Sequence, residues 1–200
     1  MQITLLRPLI LGSTSVYRRQ LLERLGLPFT MQSPGVDETP QPGEAPAALA
    51  ARLALAKARA VAQQFPDCIV IGCDQVADLN GTALGKPGDY VRATEQLRRM
   101  RGQTVIFQTA TAVVCHSSGF CSEALAPVKV HYRDLTDQEI DFYLRAEQPY
   151  DCAGSCKSEG LGIALLESIA NDDPTSLVGL PLIRLSHMLR AAGLPLLGTA

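Results

Sequence analysis

The segment Cys68-Ile69-Val70-Ile71-Gly72-Cys73-Asp74-Gln75-Val76 constrains the fold more than any other stretch of the chain. Its β-branched run, Ile69 to Ile71, favours an extended and largely buried strand. Asp74 follows where that strand is expected to leave the core. Inside a sheet a lone carboxylate is costly unless hydrogen-bonded, paired or metal-bound. At the C-terminal mouth of a strand it can instead face the crevice where open α/β sheets bind ligands. The plainer alternative is a turn-capping Asp. Further on, Asn80-Gly81 marks a tight turn, and Gly85-Lys86-Pro87 sets an ammonium in a rigid loop. A carboxylate and a lysine on one irregular connection point to a site for phosphate and metal.

The remaining pattern surrounds this strand with α/β units. Leu9-Ile10-Leu11 predicts a first strand, which Leu5 and Leu6 could extend. It ends in Gly12-Ser13-Thr14-Ser15, and Val16 to Leu25 then has helical spacing, with Leu21, Leu22 and Leu25 inward and Gly26 as the stop. Ser13 or Ser15 can cap that helix. A strand, a short Gly/Ser loop and a helix N-terminus form an anion cradle, to which Arg18 and Arg19 can add guanidinium donors. Ordinary capping explains the same residues.

Phe29 to Ser33 predicts a short strand, followed by a constrained loop that carries Asp37 and Glu38. A long alanine-rich helix spans about 46–65, with Leu49, Leu53, Ala56 and Ala60 as its seam and Lys57 on or beside the inner face. Residues 89–100 predict another helix. Val105–Cys115 and Phe120–Tyr132 predict an antiparallel pair across Ser117-Ser118-Gly119. Thr136-Asp137-Gln138-Glu139 is a capping box opening a helix over 137–147. Tyr150 to Gly162 is too broken by glycine for a normal helix and can bring backbone groups close to a ligand. Ile163 to Ile169 returns to strand character, and a helix over 181–192 has Ile183, Leu185, Met188 and Leu189 as its seam. Parallel units at both ends of a central hairpin give a mixed α/β sheet with helices on its faces, in one domain spanning 1–200.

Composition excludes several classes. At 200 residues, 46% hydrophobic and 19% charged, the chain can fill a substantial core. A net charge of −2 gives no reason to expect nonspecific nucleic-acid binding. No apolar run is long enough to cross a bilayer, and the first residues lack the pattern of a secretory signal, so no membrane partner and a cytoplasmic location are expected. The six cysteines contain no Cys-x-x-Cys pair and read as reduced, structural thiols. His116, His131 and His187 show no metal-ligand spacing.

The polar residues left over are Ser13, Arg18, Glu38, Lys57, Asp74, Lys86, Lys157 and Glu159. Two carboxylates can hold a divalent cation with waters while cationic side chains neutralise a phosphate chain. These are the parts that phosphoryl-type hydrolysis needs, together with an activated water. A nucleotide-binding regulator could use the same residues without catalysis, and a helix-rich interaction module is a third reading.

Taken together, the motifs resemble the Maf family of nucleotide pyrophosphatases over nearly the whole chain. They are Leu11-Gly12-Ser13-Thr14-Ser15 with Arg18-Arg19, Val36-Asp37-Glu38, Lys57-Ala58, Gly72-Cys73-Asp74-Gln75-Val76, Gly85-Lys86-Pro87, Ala153-Gly154 with Glu159-Gly160, and Val178-Gly179-Leu180-Pro181. The resemblance implies an elongated mixed sheet with two helical lobes around a deep central cleft, similar to inosine-triphosphate pyrophosphatases, and often a homodimer. It implies hydrolysis of a nucleoside triphosphate between the α and β phosphates, with magnesium or manganese (Mg2+ or Mn2+). Asp74 matches the catalytic acidic position and Glu38 an acidic position near metal and water, so both are expected as metal ligands. Ser13, Arg18, Lys57 and Lys86 are expected to embrace the triphosphate.

Specificity positions of the family match Tyr17, Gln75 and Glu159. The dTTP/UTP branch tends to have Thr after the catalytic Asp and Gln where Glu159 stands, so this chain resembles the 7-methyl-GTP branch instead. N7-methylation leaves guanine cationic, so Tyr17 can stack on it with cation–π benefit, and Glu159 can accept from guanine N1 and N2. That branch typically carries Trp where Tyr17 stands, which implies weaker binding or broader specificity here.

Overall fold

The computed structural model describes residues 6–197. The strands are β1 (Leu9–Gly12), β2 (Thr30–Met31), β3 (Ile69–Leu79), β4 (Thr82–Leu84), β5 (Thr104–Cys115), β6 (Phe120–Tyr132) and β7 (Leu166–Ala170). The helices are α1 (Val16–Glu23), α2 (Pro46–Gln64), α3 (Tyr90–Met100), α4 (Asp137–Glu147) and α5 (Leu182–Ala191). All strands join one mixed sheet in the order β2-β1-β3-β5-β6-β7, with β4 paired to β3. β1 is parallel to both β2 and β3, and every other pairing is antiparallel.

Side-chain alternation explains why β1 and residues 69–73 of β3 are apolar without a break. Leu9, Leu11, Ile69 and Ile71 face a core completed by Leu21 and Leu22 of α1 and Leu185 and Leu189 of α5. Ile10, Val70 and Val76 face α2 through Leu49, Leu53, Ala58 and Val61. Both faces are covered, so no polar alternation survives. A third cluster lies beyond them, where Leu97 of α3 and Ile140, Tyr143 and Leu144 of α4 pack on Leu79, Phe107 and Val128. The six cysteines are free thiols. No helix among the described residues is long and apolar enough to cross a membrane.

Local signals place most elements where the sequence predicts them, including the capping box Thr136/Glu139 on α4. Five expectations change. Leu6 is 94% exposed and does not extend β1, while Leu5 lies outside the described residues. The buried seam of α2 takes in Ala50, Ala54, Ala58 and Val61, whereas Ala56 and Ala60 are only half-buried. Ile163 sits in a 3-10 turn, Leu161–Leu165, before β7. Ile183 is exposed and Leu182 takes the inner position of α5. Finally, β7 runs antiparallel to β6, so only the N-terminal end carries parallel units. The connection from β6 to β7 contains α4 and is long enough for either direction, so the antiparallel one is set by the pairing itself, Lys129 with Ala170 through Tyr132 with Leu166.

Gly72 sets the distance between sheet and helix. A Cβ there would lie 2.2 Å from the Ala54 carbonyl oxygen and 2.5 Å from the Ala58 nitrogen, both backbone atoms of α2. Backbone cannot step aside as a flexible side chain can. Gly72→Ala should therefore cost about 3 kcal/mol, the upper end of overpacking penalties, as read by denaturant unfolding.

Candidate active site

Asp74 occupies the middle of β3 rather than its end, because the strand continues to Leu79. Neither does it share an irregular connection with Lys86, which follows β4. The opening arises from its neighbours. β1 stops at Gly12, opposite Gly72, and β4 pairs only from Ala77 onward. Between those points β3 has no partner on that side, and Asp74 lies in the gap. The crevice at a strand's end therefore exists, but the strand that ends is β1.

The pleat sends Gly72 and Asp74 to the α2 face, and the close approach at Gly72 brings Lys57 into range. Lys57 Nζ donates to Asp74 Oδ1 at 2.6 Å and lies 2.6 Å from Glu38 Oε1. Lys57 and Asp74 are buried, whereas the Glu38 side chain is 56% exposed. Desolvation pushes the Asp74 carboxyl above its ordinary range, against the opposing charge and hydrogen bond of Lys57. Glu38 goes the other way: desolvation works against it, but the hydrogen bond and charge of Lys57, with Lys86 and Arg18 beyond, hold its carboxyl below the usual range. Two acids on one ammonium thus have opposite proton affinities.

Glu38 rides on the irregular loop between β2 and α2, and α2 clasps that loop. Arg52 Nε and Nη2 donate to the two Glu44 carboxylate oxygens at 2.6 and 2.7 Å, and Nη2 also reaches the Thr39 carbonyl at 3.1 Å. The hydrogen bonds from Arg52, followed by one from the Gln41 amide, pull the Glu44 carboxyl down to about 2. The Glu44 carboxylate of the clasp therefore stays ionised well below the pH at which an ordinary glutamate takes up its proton.

The other face of β3 holds a second loop. Gln75 Nε2 donates to Thr109 Oγ1 at 2.8 Å and to the Ser176 and Leu177 carbonyls at 3.0 Å each. Cys73 Sγ donates to the Gly179 carbonyl at 2.9 Å, and the same oxygen accepts from Arg18 Nε at 3.0 Å. Gly179 has φ +112°, and a Cβ there would approach Arg18 Nε at 3.5 Å. Alternate residues of one strand thus serve two faces: Asp74 meets α2, while Cys73 holds the Gly179 carbonyl that orients Arg18 and Gln75 holds the Ser176 and Leu177 carbonyls just before it.

Ser15, not Ser13, is the N-cap of α1, accepting from the Arg18 amide at 3.4 Å. Buried Ser13 accepts from the Ser15 amide at 3.1 Å. Lys86 is exposed, and its loop is tied down by Gln96, which donates to the Gly85 carbonyl at 3.0 Å and accepts from Ser155 Oγ at 2.6 Å. Ser155 has φ +54°, a left-handed backbone uncommon outside glycine.

A cavity of about 930 Å³ brings the predicted set together. Ser13, Tyr17, Arg18, Glu38, Lys57, Asp74, Gln75, Lys86 and Glu159 all line it. Lys157 is the exception among the polar candidates, being turned toward Glu147 at 2.6 Å. Sequence reasoning missed Thr109, Gln96 and Glu44, which hold loops rather than line the cavity. It also quoted Gly179 only as part of a motif. Local sequence carries little sign of such residues, since their partners lie far along the chain.

Three relatives match nearly the whole of this chain at high sequence identity. A 7-methyl-GTP pyrophosphatase of Polaromonas sp. is 71% identical over 95% of this chain and 87% of its own length. Proteins of the same name from Albidiferax ferrireducens and Aromatoleum aromaticum are 65% and 59% identical, over 96% and 93% of this chain and 96% of each relative. The model of the family described as Maf-like protein matches residues 8–192, which include every residue of the cavity described above. The chain belongs to the Maf-like protein family.

Proposed function

We propose that the chain hydrolyses 7-methyl-GTP to 7-methyl-GMP and pyrophosphate. The observation that carries this reading is Lys57 Nζ held at 2.6 Å by both Asp74 and Glu38, on the wall of a cavity that Ser13, Arg18 and Lys86 also line. The names of the three relatives supply the substrate.

Each residue then has a task set by its surroundings. Ser13 and the first turn of α1 offer a hydroxyl and free amides to phosphate oxygens. Arg18, oriented by the Gly179 carbonyl, and Lys86 neutralise the phosphate chain. Asp74, with its raised proton affinity, takes a proton from the attacking water. Glu38 stays ionised because its affinity is lowered. Tyr17 and Glu159 on the cavity wall recognise the base, one by stacking on the methylated ring and the other by accepting from N1 and N2. Gln75 acts on specificity through the 176–177 carbonyls it holds.

The donor set fits a divalent cation such as magnesium or manganese. Glu38 and Asp74 converge on one cationic point, and among the described residues no group of three or more His, Cys, Asp or Glu side chains could complete a protein cage. Magnesium is commonly held in this way, by one or two carboxylates with substrate phosphates and waters. When bound there it supplies charge that polarises the phosphate and eases ionisation of water.

Initial rates on 7-methyl-GTP, GTP, dTTP and UTP test the substrate. The expected result is highest kcat/KM for 7-methyl-GTP. A preference for dTTP or UTP rejects that assignment in favour of the family's other branch.

A further inference from the structure

Glu147, at the end of α4, lies outside the cavity yet organises its base-recognising rim. Its Oε1 accepts from Lys157 Nζ at 2.6 Å, and its Oε2 accepts from the Leu161 amide at 2.8 Å. The segment between those contacts carries Glu159. Its fold is closed by the Gly160 and Gly162 amides, both donating to the Lys157 carbonyl at 3.1 Å, and by the Lys157 amide donating to Tyr143 Oη at 3.0 Å. A Cβ at Gly160 would lie 2.7 Å from Glu147 Oε2, so the turn is wrapped directly around this carboxylate.

The same contact controls a charge. Lys157 Nζ stands 6.0 Å from the centroid of the Tyr17 ring. That is the outer limit of cation–π attraction, so the ammonium stands over the ring on which a cationic base would stack, at the far end of its reach. Around Tyr17, the carboxylates of Asp151 and Glu159 and the Lys157 ammonium all act on the ring, and Glu147 holds that ammonium in an ion pair at 2.6 Å. A base carrying positive charge gains from the acids and loses to an ammonium left free. A neutral base responds to neither as strongly.

We propose that Glu147 is a specificity-positioning residue, which restrains Lys157 and the 157–162 turn so that the Tyr17 face accepts a cationic purine base. The proposal rests on the substrate reading above and extends it to a residue that need not touch the nucleotide. Its consequence is electrostatic: removing the Glu147 charge should penalise a methylated guanine more than guanine itself.

The test compares kcat and KM on 7-methyl-GTP and GTP for wild type, Glu147→Gln, Lys157→Met and the double variant, with thermal unfolding of each. In Glu147→Gln the ratio of kcat/KM for 7-methyl-GTP over GTP should fall about threefold to thirtyfold, the range of a cation–π contact, and should do so through KM. Adding Lys157→Met should restore the ratio, which a merely structural role for Glu147 would not do. Lys157→Met alone should leave the ratio at or above wild type, and this arm stands even if Glu147→Gln does not fold. An unchanged ratio in Glu147→Gln, a loss that Lys157→Met does not rescue, or a lowered ratio in Lys157→Met alone overturns the proposal. A wild-type enzyme without preference for 7-methyl-GTP rejects the substrate reading and this inference with it. A wild-type preference that survives Glu147→Gln rejects this inference alone.

Discussion

Asp74→Asn is expected to lower turnover of 7-methyl-GTP by about 10²–10⁴-fold, the contribution of a positioned general base. Asparagine keeps the shape of the side chain, and its amide oxygen can still accept from Lys57 Nζ, which keeps its second partner in Glu38. It cannot take a proton. The loss should therefore fall on kcat while far-UV circular dichroism and the unfolding transition stay near wild type. Glu38 is a poor substitute base, because its proton affinity is lowered where that of Asp74 is raised. Full activity in Asp74→Asn would move proton acceptance to another group.

Lys57→Met should damage stability and rate together, and both effects should depend on pH. Removing one member of a buried ion pair leaves the other charge uncompensated, at a cost of about 3–5 kcal/mol. The sign follows from linkage. Asp74 already binds its proton more tightly in the folded chain than an ordinary aspartate, so stability from this group falls as pH rises through its folded pKa. Lys57 opposes that shift, and without it the folded carboxyl rises further. The gap in Tm between wild type and Lys57→Met should be narrow at acidic pH and widen toward alkaline pH. The acid limb of kcat/KM should move to higher pH, since Asp74 must ionise to act as base. A gap that narrows on raising the pH would contradict the assignment of Asp74 as the residue relieved by Lys57.

Much of this site was legible in the chain because its parts are short and locally coded. The apolar run before Asp74, the Gly-Ser loop before α1 and the inward turn of α2 at Lys57 each follow from periodicity and capping. What could not be read is where neighbouring strands stop. Asp74 looked like a strand-end residue, yet it is exposed to the cavity only because β1 ends at Gly12 and β4 starts opposite Ala77. The direction of β7 was hidden for a similar reason: a strand's sequence carries its pleat but not its partner. Gln75 reads as a specificity position by its motif alone, and the carbonyls 101 and 102 residues away that its amide nitrogen holds are no part of that reading. Long-range hydrogen bonds of that kind have no local signature.

The most direct check on the account is product identification from 7-methyl-GTP, by chromatography with separate assays for pyrophosphate and orthophosphate. A cavity that binds the phosphate chain through Ser13, Arg18 and Lys86 and activates water at Asp74 should yield 7-methyl-GMP and pyrophosphate in equal amounts, and Asp74→Asn should yield neither at a comparable rate. Release of 7-methyl-GDP with orthophosphate, or intact nucleotide from the wild-type protein, would contradict it.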